Sequence, residues 1–161
     1  MDIKEGTLAP DFMLFDHTKT PFRLSDYRGK KNVLILFFPG AFTSVCTTEL
    51  NTVSNELEEF GTDSETQVVG ISTDSPFVLD EFRKVHHLRF PLLSDHNAEV
   101  SALFGAKYDS DFTPMKLDRI SKRAAFIVDK EGVIRYTEVL ENAGNLPNFD
   151  IVKNVLSSIK D

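Results

Sequence analysis

The chain has one cysteine and no tryptophan among its 161 residues. A single cysteine excludes a disulfide within the chain, a four-thiolate zinc site and a CxxC redox pair, so Cys46 works alone, pairs with another molecule or merely packs. Without tryptophan there is no indole to report on events around it. No stretch supplies the ~18 uninterrupted apolar residues of a membrane helix, and the opening MDIKEGTLAPDF has neither a basic n-region nor an apolar h-region. A cytoplasmic protein with no membrane partner is expected. Positive charge is scarce as well: 18 Lys and Arg against 25 Asp and Glu leave a formal charge of -7 and a pI near 5.1. That balance argues against nucleic acid, because phosphate binding needs a concentrated basic face. The nearest approach to one, Lys116, Arg119, Lys122 and Arg123, is interrupted by Asp118.

What is present has the composition of a globular domain. Hydrophobic residues at 41% and charged residues at 27% leave disorder and repeat architectures without support. Residues 1–161 are expected to form a single domain, long enough to bury roughly 70% of the surface its unfolded chain exposes.

Two short runs, Phe12 to Phe15 and Phe22 to Leu24, flank the polar DHTKT and predict an N-terminal β-hairpin leading to a turn at Arg28 and Gly29. VLILFF, Val33 to Phe38, is apolar throughout and predicts a central strand that Pro39-Gly40 ends. Leu50, Val53, Leu57 and Phe60 fall at helical spacing within Thr47 to Phe60, and Gly61 closes that helix. Gln67 to Thr73 reads as a second buried strand; Asp74, Ser75 and Pro76 then open a helix carrying Val78, Phe82 and Val85. A short strand in FPLLSD and a helix from about Asn97 to Phe104, stopped by Gly105, continue the alternation. Ala106 to Lys122 has no clear period and reads as a loop with a helical turn or two. RAAFIVDKEGVIRYTEVL predicts two strands joined at Asp129–Gly132, and a last helix, Phe149 to Ile159, is expected to bury Ile151, Val152, Val155 and Ile159. The alternation implies an α/β fold: a central mixed sheet with helices on both faces.

Thr43 and Ser44 are candidate N-caps for the helix after the first long strand, which puts Cys46 in its first turn. A sulfur there faces unpaired backbone N–H groups and the positive end of the helix dipole, surroundings that favour the nucleophilic thiolate. A lone cysteine is more often a small buried hydrophobe, so the neighbouring residues have to decide. Pro39, Thr43 and Cys46 spell P-x-x-x-T-x-x-C after an apolar strand, and an arginine, Arg123, precedes the strand F-I-V-D by three residues. With LAPDF, FFP, C-T-x-E, ISTDSP, FPLLSD and R-A-A-F-I-V-D followed by G-V-I-R in the same order, the chain resembles a peroxiredoxin over nearly its whole length.

The resemblance implies a thioredoxin-like fold and a thiol peroxidase of the one-cysteine type. Cys46 would be the nucleophile that takes an oxygen from hydrogen peroxide or an organic hydroperoxide and becomes a sulfenic acid. Thr43 would offer its hydroxyl to the peroxide, and Arg123 its guanidinium to both sulfur and oxygen. The backbone N–H of Cys46 would add a third donor. Pro39, which has no N–H, would shield the site from water, and Glu49, one turn after Cys46, would orient the arginine. Arg119 is the competing arginine; the R-A-A-F spacing favours Arg123. No cofactor or metal is implied, and His17, His86, His87 and His96 read as structural or solvated.

Relatives that carry a second, resolving cysteine have it five residues after the first or near the C-terminus. Here those places hold Asn51 and the tail SSIKD. An external thiol, whether thioredoxin, a glutaredoxin-like protein or a small thiol, is therefore expected to reduce the sulfenic acid. A homodimer or higher homo-oligomer is implied by the family. Two rival readings are a peroxide sensor or chaperone-like binding protein on the same fold, and another cysteine enzyme, which would need a base where no histidine lies within about twenty residues of Cys46.

Overall fold

The computed structural model describes residues 3–61, 65–109 and 116–159. Among them seven strands form one mixed sheet. β1 (Met13–Asp16) and β2 (Pro21–Arg23) make the antiparallel N-terminal hairpin, with Leu14 opposite Phe22. β3 (Asn32–Phe37) is buried along its whole length and lies parallel to β4 (Thr66–Ser72), which lies parallel to β5 (Leu92–Ser94). β6 (Arg123–Val128) runs antiparallel to β3, and β7 (Ile134–Leu140) antiparallel to β6. The order across the sheet is β2-β1-β5-β4-β3-β6-β7. β3 thus sits inside, paired on both edges, as its unbroken apolar run requires.

The period-2 alternation of the central strands feeds two cores. Leu34, Leu36, Val68, Ala125 and Ile127 face one side, where α1 (Ser44–Asn55), α2 (Pro76–Val85) and α4 (Phe149–Ser158) cover them with Leu50, Val53, Leu79, Phe82, Val152 and Leu156. Val33, Ile35, Phe37, Val69, Ile71 and Phe126 face the other. There the N-terminal segment, through Ala9, Phe12 and Leu24, and α3 (Glu99–Leu103), through Val100, close the sheet. Each large apolar side chain so buried contributes roughly 1.5–3 kcal/mol.

Several local expectations change. The helix after β3 begins at Ser44, three residues before Thr47, and ends at Asn55; Leu57–Phe60 forms a separate 3-10 turn before Gly61 takes the left-handed conformation at φ 77°. The tighter turn still delivers Leu57 and Phe60 to the core, with Phe60 edge-on to Phe149 of α4 at 5.9 Å. In α2 the buried stripe is Leu79 and Phe82, so Val78 and Val85 lie at its rim and are exposed. In α4 Ile151 is exposed and Leu156 takes the core position, one turn beyond Val152. An unpredicted 3-10 turn, Leu24–Tyr27, precedes Gly29. Of the stretch expected to be a loop with a helical turn or two, residues 110–115 lie outside the described residues, and its flanks meet in an antiparallel bridge between Lys107 and Ser121. Among the described residues no helix is long and apolar enough to cross a membrane.

Gly70 sits in β4 where the covering side is tightest. A Cβ there would lie 2.8 Å from Leu92 Cδ2 and 3.3 Å from Phe38 Cε1. Gly70→Ala is accordingly expected to destabilise the protein by about 1–3 kcal/mol, read as a lower urea midpoint at unchanged m-value.

Candidate active site

The loop between β3 and α1 is held from both ends. At its start the N–H of Ala41 donates to Asp74 Oδ2 at 2.8 Å, and the same oxygen accepts from the Ser72 hydroxyl at 2.7 Å, so the loop is tied to the end of β4. Phe42 adopts a left-handed φ of 64°, uncommon for a residue with a side chain, and its ring packs edge-on to Phe82 at 5.0 Å. Thr43 follows in extended conformation at the N-cap position. Its hydroxyl caps nothing: it donates back to Gly40 O at 2.8 Å, and no side chain caps α1. The expected cap is thus absent, because the tight loop offers a nearer acceptor. The first intrahelical bond runs from Thr47 N–H to Thr43 O at 2.9 Å, which leaves the Cys46 N–H in the unbonded first turn.

Cys46 is 1% exposed. Arg123, the first residue of β6, reaches it across the end of the sheet: Nη1 donates to Cys46 Sγ at 3.3 Å and to Glu49 Oε1 at 2.7 Å. Nη2 donates to Ala143 O at 2.9 Å, in the loop between β7 and α4. One guanidinium nitrogen therefore bridges sulfur and carboxylate, while the other fixes the plane. Arg123 Nε and Glu49 Oε2 are buried and have no hydrogen-bond partner among the described residues.

Glu49 is fully buried on α1. Burial opposes its charge more strongly than the Arg123 pair supports it, so its carboxyl is pushed up to about 7 from an ordinary 4.5. Burial also disfavours the charge on Arg123, but Glu49 and Cys46 outweigh it and hold the guanidinium above its usual value.

Beside the sulfur lies an open pocket of about 230 Å³ lined by Pro39, Thr43, Val45, Cys46, Arg123 and Gly144. Of the site residues expected from the sequence, Pro39, buried at the strand end, exposed Thr43, Cys46 and Arg123 line this pocket, and Glu49 lies buried behind it on Arg123. Arg119 is exposed and forms no part of this arrangement. Of the histidines, His17 is buried and accepts from Leu92 N–H at 3.4 Å, while His87 and His96 are exposed. His86 packs against Phe82 at 5.1 Å. Sequence reasoning missed the carboxylate of Asp74 and the carbonyl of Ala143. In the sequence Asp74 reads only as part of a helix start, and a backbone carbonyl leaves no signal in residue type.

The chain is similar to known proteins over most of its length. The model of the AhpC/TSA family matches residues 6–137. The chain is 36% identical to "2-cysteine peroxiredoxin, chloroplastic" of Chattonella marina var. antiqua, covering 99% of this chain and 82% of that one. It is 34% identical to "Peroxiredoxin Bcp" of Escherichia coli (strain K12), with 96% of each chain covered. Among solved structures, peroxidoxin BcpB from Mycobacterium tuberculosis superposes with a TM-score of 0.84 at 31% identity, over 99% of both chains. Fold, site and likenesses together define a thiol-dependent peroxidase on a thioredoxin-like scaffold. The chain belongs to the AhpC/TSA family, the peroxiredoxins, and its single cysteine fits the one-cysteine type.

The buried carboxyl makes stability depend on pH. Because its folded value lies above its unfolded one, the folded state binds the extra proton: the contribution is complete below about 4.5 and is lost as pH rises through about 7. The unfolding free energy from urea titrations is expected to fall by up to about 3 kcal/mol between those limits in the parent on this account, and Glu49→Gln is expected to remove that fall.

Proposed function

We propose that Cys46 is the peroxidatic nucleophile and that Pro39, Thr43, Glu49 and Arg123 serve it as the family resemblance implies. The observation that carries this reading is the single Arg123 nitrogen within hydrogen-bond reach of both Cys46 Sγ and Glu49 Oε1, at the floor of a pocket that also exposes Thr43. The sulfur attacks the terminal oxygen of a hydroperoxide: an S–O bond forms, the O–O bond breaks, and its electron pair leaves on the second oxygen, which takes a proton to become water or an alcohol. Negative charge moves from sulfur to that oxygen, and a guanidinium already bonded to sulfur can follow it without reorganising. The Thr43 proton is engaged by Gly40, so its hydroxyl offers lone pairs to the incoming O–H. Pro39 brings apolar bulk and no competing donor.

The sulfenic acid is reduced by an external thiol, since Asn51, half-buried on α1, stands where some relatives carry a resolving cysteine. The first thiol forms a mixed disulfide and releases water; a second thiol regenerates Cys46. Thioredoxin, a glutaredoxin-like protein and a small thiol all supply this chemistry. A cytoplasmic homodimer or higher homo-oligomer completes the proposal. The one sheet that takes strands from Met13 to Leu140 supports reading residues 1–161 as a single domain.

Rapid-quench mass spectrometry of pre-reduced protein mixed with hydrogen peroxide tests the reading. Thiol loss orders of magnitude faster than for a free thiol is expected, falling at least about 100-fold in Arg123→Ala and disappearing in Cys46→Ser. A free-thiol rate in the parent would overturn it. On a non-reducing gel after one equivalent of peroxide, the protein is expected to stay monomeric in its covalent structure and to cycle only when a thiol is added. Stoichiometric Cys46–Cys46 dimers competent for turnover would sink the one-cysteine mechanism, and oxidation without cycling under any added thiol would favour a sensor.

A further inference from the structure

The buried cluster holds one cation and two groups able to carry negative charge. Arg123 Nη1 serves both, Cys46 Sγ at 3.3 Å and Glu49 Oε1 at 2.7 Å. No other charged residue makes a hydrogen bond or ion pair to Glu49 among the described residues; Lys122, Glu141 and Tyr108 form a ring of their own beyond Arg123, with Lys122 Nζ 2.6 Å from Glu141 Oε1 and 6.0 Å from the Tyr108 ring centroid. Two anions on one buried guanidinium would leave a net negative charge without solvent, which the interior strongly disfavours. The second carboxyl oxygen, Glu49 Oε2, is buried without a partner among the described residues, a position that costs an ionised carboxylate more than a neutral carboxyl.

We propose that Glu49 stores the proton that the leaving oxygen of the peroxide requires, its ionisation running opposite to that of Cys46 across the shared Arg123. With Cys46 as thiolate, Glu49 is protonated; once sulfur has become a neutral sulfenic acid, Arg123 has lost one anion and Glu49 supplies the replacement. The step balances: thiolate, hydroperoxide and protonated Glu49 give sulfenic acid, water or alcohol, and Glu49 carboxylate, with one negative charge on each side. The raised affinity of Glu49 for its proton points the same way, and ionising Cys46 beside the same nitrogen can only strengthen it. Glu49 touches no reacting atom; the proton is relayed through Arg123, whose Nη1 gives a proton to the leaving oxygen as Glu49 returns one to Nη1, so the guanidinium stays a cation and the charge of the cluster stays constant. The inference rests on Cys46 being the peroxidatic residue.

The test counts protons and thiols in the same reaction. Reduced protein at neutral pH is mixed with one equivalent of hydrogen peroxide in weakly buffered indicator solution, and proton uptake is normalised to the thiolate lost, read from its ultraviolet absorbance. The parent is expected to take up close to no proton from solvent, and Glu49→Gln, which keeps an oxygen for Arg123 but no store, about one per Cys46 oxidised. Equal uptake in the two proteins, whatever its value, would overturn the inference. Infrared difference spectra of the parent before and after oxidation give a second reading that needs no variant: loss of a protonated carboxyl stretch is expected, and an unchanged carboxyl region would overturn it. If peroxide leaves the thiol intact, the peroxidase reading itself fails, an outcome distinct from thiol loss without proton transfer.

Discussion

The guanidinium of Arg123 is the constraint on which the rest of the site depends. A cation 1% exposed is tolerated because most of its donors are met, and three residues from two parts of the chain meet them: Cys46 and Glu49 in the first turns of α1, and Ala143, through its carbonyl, in the loop after β7. Removing one partner of such a buried pair typically costs about 3–5 kcal/mol, because the remaining charge is left uncompensated. The same contacts that order the loop and the helix start therefore place positive charge on the sulfur, and folding and chemistry draw on one set of bonds. Arg123 Nε and Glu49 Oε2, without a partner among the described residues, are unmet demand within that set.

How the sulfur comes to be there follows from the sheet. β3 is paired on both edges and buried on both faces, so its end is fixed in space, and Pro39 terminates it. The loop that follows cannot relax freely: Asp74 holds Ala41, and packing on Phe82 holds Phe42 at a positive φ. Backbone strain of this kind persists where surroundings over-determine it, and here it lies one residue before Thr43 and four before Cys46. The energy is supplied by the apolar core beneath α2, several residues away from any reacting atom.

Much of this was legible in the sequence because it was written in residue types. VLILFF announced an interior strand, the spacing of Leu50, Val53, Leu57 and Phe60 announced a buried helical face, and P-x-x-x-T-x-x-C with R-A-A-F announced the site residues that the structure brings together. What was not legible depended on three-dimensional neighbours. The break at Glu56 arises as the chain tightens to deliver Leu57 and Phe60 to one core, and the exposure of Val78, Val85 and Ile151 follows from which side of each helix the sheet meets. Thr43 looked like a cap by composition, yet the loop placed Gly40 O closer. Asp74 and Ala143 act through a long-range contact and a backbone carbonyl, neither of which a linear motif records.

The pairing of β6 with β7 carries a further consequence. Arg123 stands opposite Leu140, and Ala143, three residues beyond, closes on its Nη2. A slip of β6 by one residue against β3 and β7 would turn Arg123 to the other face of the sheet and offer Ala124 to the sulfur instead. Such a misaligned chain could still hide most of its apolar side chains, and spectroscopic measures of secondary structure would scarcely notice it. It would nevertheless lack the guanidinium. The cluster is thus a built-in proofreader of strand alignment, sensitive to an error of about 3.4 Å that bulk measures of folding average away.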